Sequence, residues 1–438
     1  MSAEGGGGGP VSPPAEDWAG AFGSVFFARI LSTGATFVTV ILAARMLGRG
    51  AYGELIVLLS IMKVAAELVG PALDTTLVRF AARHSGDSTN RSFDYVRTVF
   101  RLKLILAGAL LVLGCALAWP LDRLLSDPAA GIQVGPAAVI LAFAGAASTV
   151  LWAFAQASLQ ARQQFARYAA VELVCSLVRL FLVATLLGAG VHRVMPVLGA
   201  YVAAPTVAAL IAWRGVPKGL FARGESGHSV LREIAGFAKW VLLACAFTSL
   251  AQRADIFLLT GFQLPSESIG DYGAALQLTL IGDLVILTLF NVLLPKASTL
   301  KSSEELRAFL HQFRVPALLM FVALLPFLLV SRWIAVLAFG PEYIRAGGLF
   351  AVLVLGSAFA LGCAPAGAAL YGMGRTSLIA LLEGLKLIAI VLGGLVFIDT
   401  YGLFGMAWAV AATKGVIGVI TYAVALYATR QDRFEHDH

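Results

Sequence analysis

The chain of 438 residues is 59% hydrophobic and only 13% charged, with a mean hydropathy of +0.86. Soluble domains carry roughly 25% charged residues, so this composition excludes an ordinary soluble fold and places most of the chain in lipid. The net charge of +7 does not signal nucleic acid, because Lys and Arg collect in alternate connections between apolar runs and not on one soluble face.

Residues 1–18 are rich in Gly and Pro, and Ser2 to Asp17 contain no Lys or Arg. That stretch lacks the basic start and apolar run of a secretory signal and predicts a disordered cytoplasmic tail. Twelve apolar segments follow, over approximately 19–47, 54–82, 99–120, 134–161, 168–190, 194–213, 236–261, 271–295, 312–339, 345–371, 377–398 and 402–428. Each is long enough to span as a helix, and irregular backbone cannot face lipid. The expected fold is therefore an all-α polytopic membrane protein with about twelve transmembrane helices. A Gly- and Pro-containing linker over 214–235 divides it into bundles over 19–213 and 236–428, with a short cytoplasmic tail over 429–438. Val230, Leu231, Ile234 and Phe237 recur at helical spacing and predict an amphipathic helix on the inner membrane surface.

The basic residues set the orientation. Arg83, Arg91, Arg97, Arg101 and Lys103 fall between spans 2 and 3. Arg214, Lys218, Arg223 and Arg232 fall between spans 6 and 7, and Lys296, Lys301 and Arg307 between spans 8 and 9. The alternate loops hold Arg49, Arg123, Arg193 and little else. By the positive-inside rule both termini are cytoplasmic.

A short pattern occurs twice. Gly50-Ala51-Tyr52-Gly53 and Gly270-Asp271-Tyr272-Gly273 lie 220 residues apart, about half the chain. Leu159 to Glu172 resembles Leu370 to Glu383 at a similar offset. Repeated halves in a membrane protein point to transport with the site between them. Gly50, Tyr52, Gly53, Gly270, Tyr272 and Gly273 are expected to form structural turns at the outer rim, the glycines permitting tight geometry and the tyrosines suiting the interface.

Charges inside spans cost roughly 2.5–3.5 kcal/mol each on insertion scales and mark cavities or partners. Span 1 carries Arg29. Span 2 carries Lys63, Glu67 and Asp74, whose spacing puts all three on one helical face, with Gly70-Pro71 between. Span 7 carries Gln252, Arg253 and Asp255, and span 8 carries Gln277 and Asp283. Arg29, Lys63 and Arg253 are the candidate lining of a cationic cavity for a phosphate-bearing substrate. Glu67, Asp74, Asp255 and Asp283 are candidates for coupling or gating. The plainer alternatives are a Lys63–Glu67 ion pair, a snorkelling Arg253 and a helix-end role for Asp255. Glu172 with Arg179, and Glu383 with Lys386, read as structural ion pairs.

No catalytic or metal site is expected. The chain has no metalloprotease, nucleotide-binding or nucleophile-elbow motif. Cys115, Cys175, Cys245 and Cys363 are far apart inside apolar runs, which suits small core side chains and not a metal site.

The run Ala44-Arg45-Met46-Leu47-Gly48-Arg49-Gly50-Ala51-Tyr52-Gly53 resembles the first outer turn of the Wzx-type polysaccharide flippases. Arg253 to Leu259, followed by Ile269 to Ala275, resembles the same family at spans 7 and 8. That resemblance implies the fold of the multidrug/oligosaccharidyl-lipid/polysaccharide exporters, a V-shaped pair of six-helix bundles around a cationic cavity. It implies a flippase and not an enzyme, moving a polyprenyl-diphosphate-linked oligosaccharide across the cytoplasmic membrane by alternating access. It further implies no cofactor, a monomer among membrane lipids, and a pathway shared with glycosyltransferases and a polysaccharide polymerase. Two alternatives are a drug or metabolite antiporter of the same fold and an integral-membrane glycosyltransferase or polymerase.

Overall fold

A straight helix of 53 residues would reach about 80 Å, far beyond the ~30 Å hydrocarbon core. Two helices in this protein have that length, and each folds back at a glycine. In the computed structural model, α1 (Ala15–Glu67) breaks at Gly48, with φ 72° and ψ 172°. The last helix, α13 (Thr376–Ala428), breaks at Gly402, with φ 56° and ψ −133°. Positive φ of this kind carries a steric penalty for any residue with a Cβ.

The structure describes residues 15–68, 70–83, 91–127, 130–215, 220, 227–298, 303–373 and 376–428. The N-terminal tail expected to be disordered lies largely outside the described residues, and the C-terminal tail wholly so. Between the two bent helices run α2 (Gly70–Arg83), α3 (Arg91–Leu125), α4 (Pro136–Ala161), α5 (Phe165–Gly188), α6 (Val194–Ala212) and α7 (Gly227–Ala251). They are followed by α8 (Ala254–Gly261), α9 (Ser266–Ser298), α10 (Ser303–Leu324), α11 (Pro326–Phe339) and α12 (Ile344–Gly372). Among the described residues eight helices are individually long and apolar enough to cross a membrane, and α7 with α8 form a ninth span bent by 46°. Counting both arms of α1 and α13, taking α10 with α11 as one span and adding α9 gives the twelve expected crossings. No strand forms among the described residues.

Buried apolar residues fall into three groups whose placement defines the shape. One continuous core joins both halves at the Gly48 end, from Val40 and Tyr52 through Val139 and Val197 to Ile256, Tyr272, Tyr343 and Met406. At the opposite end, where the basic connections lie, the core splits in two. Leu77, Phe100, Phe154 and Ala208 belong to an N-terminal cluster, while Leu293, Phe309, Ala369 and Leu382 form a C-terminal one. The two bundles are thus fused at the glycine-hairpin end and have separate cores at the basic end.

The amphipathic stretch differs from expectation. It is the first part of α7, continuous with span 7, and it begins inside the expected linker. Val230 and Ile234 are buried within the N-terminal cluster. Their burial strip meets protein and not the membrane surface, so α7 straps the second half onto the first.

Candidate substrate cavity

The two Gly-x-Tyr-Gly stretches are helical segments, and they meet each other. Gly50 to Gly53 lie in the helix just after the Gly48 hairpin, and Gly270 to Gly273 lie in the first turns of α9. None of the four glycines has positive φ; the turns themselves are made by Gly48 and, before α9, by Gln263. The expectation of outer-rim turns is therefore corrected. A Cβ on Gly53 would fall onto the carbonyl of Ser266, and one on Gly270 onto the carbonyl of Arg49. A Cβ on Gly273 would stand 2.6 Å from Ile56 Cγ1. The glycines are needed because the backbones of α1 and α9 touch.

Side chains lock this crossing. Arg49 donates from Nε to Asp271 Oδ1 at 3.0 Å and from Nη2 to Oδ2 at 2.6 Å, a bidentate pair between the halves. Glu267 stands 3.5 Å from the same guanidinium. Arg45 donates to the carbonyls of Ala338 and Leu337, and the Tyr343 hydroxyl donates to the carbonyl of Ala44. Tyr52, fully buried, meets Tyr343 edge-on with ring centroids 6.3 Å apart. Tyr272 donates to Asp255 Oδ2 at 2.9 Å, and the Ile256 backbone N–H donates to Oδ1 at 2.8 Å. Asp255 thus ties the start of α8 to the repeated tyrosine of α9. Tyr272→Phe is expected to leave this buried carboxylate short of a donor and to lower stability by about 1–3 kcal/mol. Thermal unfolding in a fixed detergent measures it.

Directly below the crossing lies a cavity of about 680 Å³ between the halves. The N-terminal half lines it with Lys63, Glu67 and Arg179, and the C-terminal half with Arg253, Asp255, Lys386 and Lys414. Thr36, Trp152, Tyr201, Gln252 and Gln277 supply further polar edges and rings. Among the described residues five cations face two carboxylates, so their formal balance is positive. Lys63 donates to Gln252 across the halves at 3.0 Å and stands 3.9 Å from Glu67. Arg179 lies over the Tyr201 ring at 5.0 Å. The Nε atoms of Arg179 and Arg253 are both buried and have no hydrogen-bond partner among the described residues.

Of the candidates from sequence, Lys63, Arg253, Glu67 and Asp255 come together here. Arg29 does not line this cavity; its electrostatic neighbours are Glu172 and Tyr168 on α5. Glu172, expected to pair with Arg179, faces Arg29 instead. Asp74 is also displaced from its expected place. Pro71 has no N–H to continue the helix, the chain breaks between α1 and α2, and Asp74 turns to α3. There it accepts from Lys103 Nζ at 2.8 Å, and that ammonium, fully buried, also donates to the carbonyl of Gly70 at 2.9 Å. The Asp283 side chain lies outside the described residues.

Three cavity cations escaped the sequence reading. Arg179 and Lys386 were assigned to ion pairs, and Lys386 does pair with Glu383 at 3.2 Å while lining the cavity. Lys414 went unnoticed, although it sits midway along an apolar run over 402–428, the same signal that singled out Arg29. It donates to Ser357 at 3.1 Å.

The solved structures similar to this one share the two-bundle architecture. The lipid II flippase MurJ in an inward closed conformation matches with a TM-score of 0.72 at 14% identity, over 94% of this chain and 88% of that one. An inward-facing multidrug resistance MATE transporter of the MOP superfamily matches at 0.72 and 16% identity, over 91% and 94%. A MOP superfamily transporter from Pyrococcus furiosus matches at 0.67 and 16% identity, over 93% and 95%. No curated protein sequence matches the chain. At these identities the structures establish the fold, that of a multi-pass membrane transporter. The sequence model of the polysaccharide biosynthesis proteins matches residues 20–301, more than half of the chain and the whole N-terminal side of the cavity. With its bundles fused at one end around a positively charged cavity, the chain belongs to the polysaccharide biosynthesis protein family, on the MOP transporter fold.

Proposed function

We propose that this protein flips a polyprenyl-diphosphate-linked oligosaccharide across the cytoplasmic membrane, with both termini cytoplasmic, as a monomer serving the glycosyltransferases and polymerase of a surface-polysaccharide pathway. The observation that carries this reading is the pair of unpartnered guanidinium nitrogens, Arg179 Nε and Arg253 Nε, one from each half of the cavity. A buried donor without a partner is costly, and a diphosphate offers acceptors that match the guanidinium fork. Binding that draws Arg179 and Arg253 to one ligand couples the halves, as rocking around a central site requires. Glu67 and Asp255, beside these cations, are the groups through which an ion gradient would be coupled.

The test is flipping of a fluorescent polyprenyl-diphosphate oligosaccharide in proteoliposomes. Wild-type protein moves the probe. Arg253→Gln is expected to lower its affinity by about tenfold or more, the loss of one charge-assisted contact, with the protein still folded. If wild-type vesicles instead exchange organic cations for protons or sodium and leave the lipid-linked probe in place, the protein is an antiporter and the flippase reading fails.

A further inference from the structure

A second pocket, of about 300 Å³, lies wholly within the C-terminal bundle between α9, α12 and the two arms of α13. Its wall is mostly apolar, with Cys363, Ala364, Gly367, Leu382 and Ile417 among its residues. Among the described residues, three charged ones line it: Glu383, Lys386 and Lys414. Both lysines also line the central cavity. The two spaces therefore meet at a pair of ammonium groups, with a polar, cationic chamber on one side and a greasy one on the other.

We propose that this pocket holds the phosphate-proximal end of the substrate's prenyl chain, with Lys386 and Lys414 gripping the diphosphate at the junction. The inference rests on the flippase reading and adds to it a second subsite. A molecule that is apolar on one side of a diphosphate and polar on the other matches the sequence of surfaces met from Gly367 through the lysines to Arg253. A sugar head alone leaves the apolar pocket unfilled, and a hydrocarbon alone brings no negative charge to the two ammonium groups, which here contact Glu383 and Ser357. The pocket is at the small end of ligand-binding volumes, which suits the first part of a prenyl chain and not its whole length. Gly367 matters for access: a Cβ built on it meets nothing within 4 Å, so the space beside it is open.

The experiment uses the full-length protein in phosphatidylcholine nanodiscs, with farnesyl diphosphate and inorganic diphosphate as probes. Gly367→Leu places a side chain in open space. It is expected to weaken farnesyl diphosphate by about tenfold while leaving inorganic diphosphate within about twofold. Lys386→Gln combined with Lys414→Gln weakens both. A protein retaining Cys363 as its single cysteine gives a readout that does not depend on Gly367→Leu folding. Farnesyl diphosphate protects that thiol from maleimide, and inorganic diphosphate does not. Unchanged farnesyl diphosphate affinity in Gly367→Leu, or a thiol modified equally fast with either probe, overturns the subsite and leaves the flippase reading standing. Protection of Cys363 by phosphatidylglycerol alone overturns it in favour of a bilayer lipid. Failure of the wild-type protein to bind either diphosphate overturns both readings together.

Discussion

Gly270→Ala is expected to reduce transport by about tenfold or more, while Gly34→Ala leaves it intact. Both glycines lie in helices, and both substitutions add one methyl group. At Gly270 that methyl lands on the backbone carbonyl of Arg49 across the crossing of α1 and α9, whereas at Gly34 it meets nothing within 4 Å. Backbone cannot swing aside as the tip of a side chain can, so the halves must part, and overpacking of this kind costs about 1–3 kcal/mol. The Arg49–Asp271 pair then loses its bidentate geometry. The check combines flipping rate with labelling of a Thr36→Cys reporter in the cavity by an impermeant maleimide applied from the crossing's side, in an otherwise cysteine-free protein. Wild type protects the reporter and Gly270→Ala exposes it. Normal transport with a shielded reporter in Gly270→Ala shows that the crossing is not the seal.

Lys103→Ala is expected to be among the most destabilising single changes in the N-terminal bundle, at about 3 kcal/mol or more. Its ammonium is fully buried and serves two acceptors, Asp74 and the Gly70 carbonyl at the break before α2. Removing it strands a largely buried carboxylate without its cation. The paired change Lys103→Met with Asp74→Leu is expected to recover most of that loss, because a buried ion pair exchanged for apolar packing is often neutral. Unfolding temperatures of the three proteins in one detergent decide it. A Lys103→Ala protein as stable as wild type would show that the pair contributes little.

The span count was readable from sequence because each crossing needs a long apolar run whatever it packs against. The repeated Gly-x-Tyr-Gly stretches were found for the right reason, as register marks of two halves, and then assigned the wrong geometry. A glycine spaced three residues from another suits both a tight turn and a close helix crossing. Choosing between them requires the partner, and Arg49 and Gly270 are 221 residues apart. Asp74 failed differently. Its alignment with Lys63 and Glu67 assumed one helical period through Gly70-Pro71, a dipeptide that interrupts it. Lys63, Arg253, Glu67 and Asp255 were legible in the cavity because charge inside a span has few other places to go. Arg179 and Lys386 join the cationic set through the juxtaposition of α5 and α13 across the interior, which no local pattern encodes, whereas Lys414 carries the same mid-span signal as Arg29.

The backbone contact between α1 and α9 also has an electrical consequence. Where water fills the cavity up to the crossing, most of the membrane potential drops across the thin layer of touching backbone. A unit charge moved through such a layer exchanges about 2.3 kcal/mol per 100 mV with the field. The strongest interaction there pairs one positive charge from the first half, Arg49, with one negative charge from the second, Asp271. If the halves rock about the cavity as proposed, the two separate sideways at similar depth, so neither charge is displaced along the field. On the proposed flippase reading the crossing then opens and closes at nearly the same rate in an energised and a de-energised cell, and voltage acts on the anionic substrate instead.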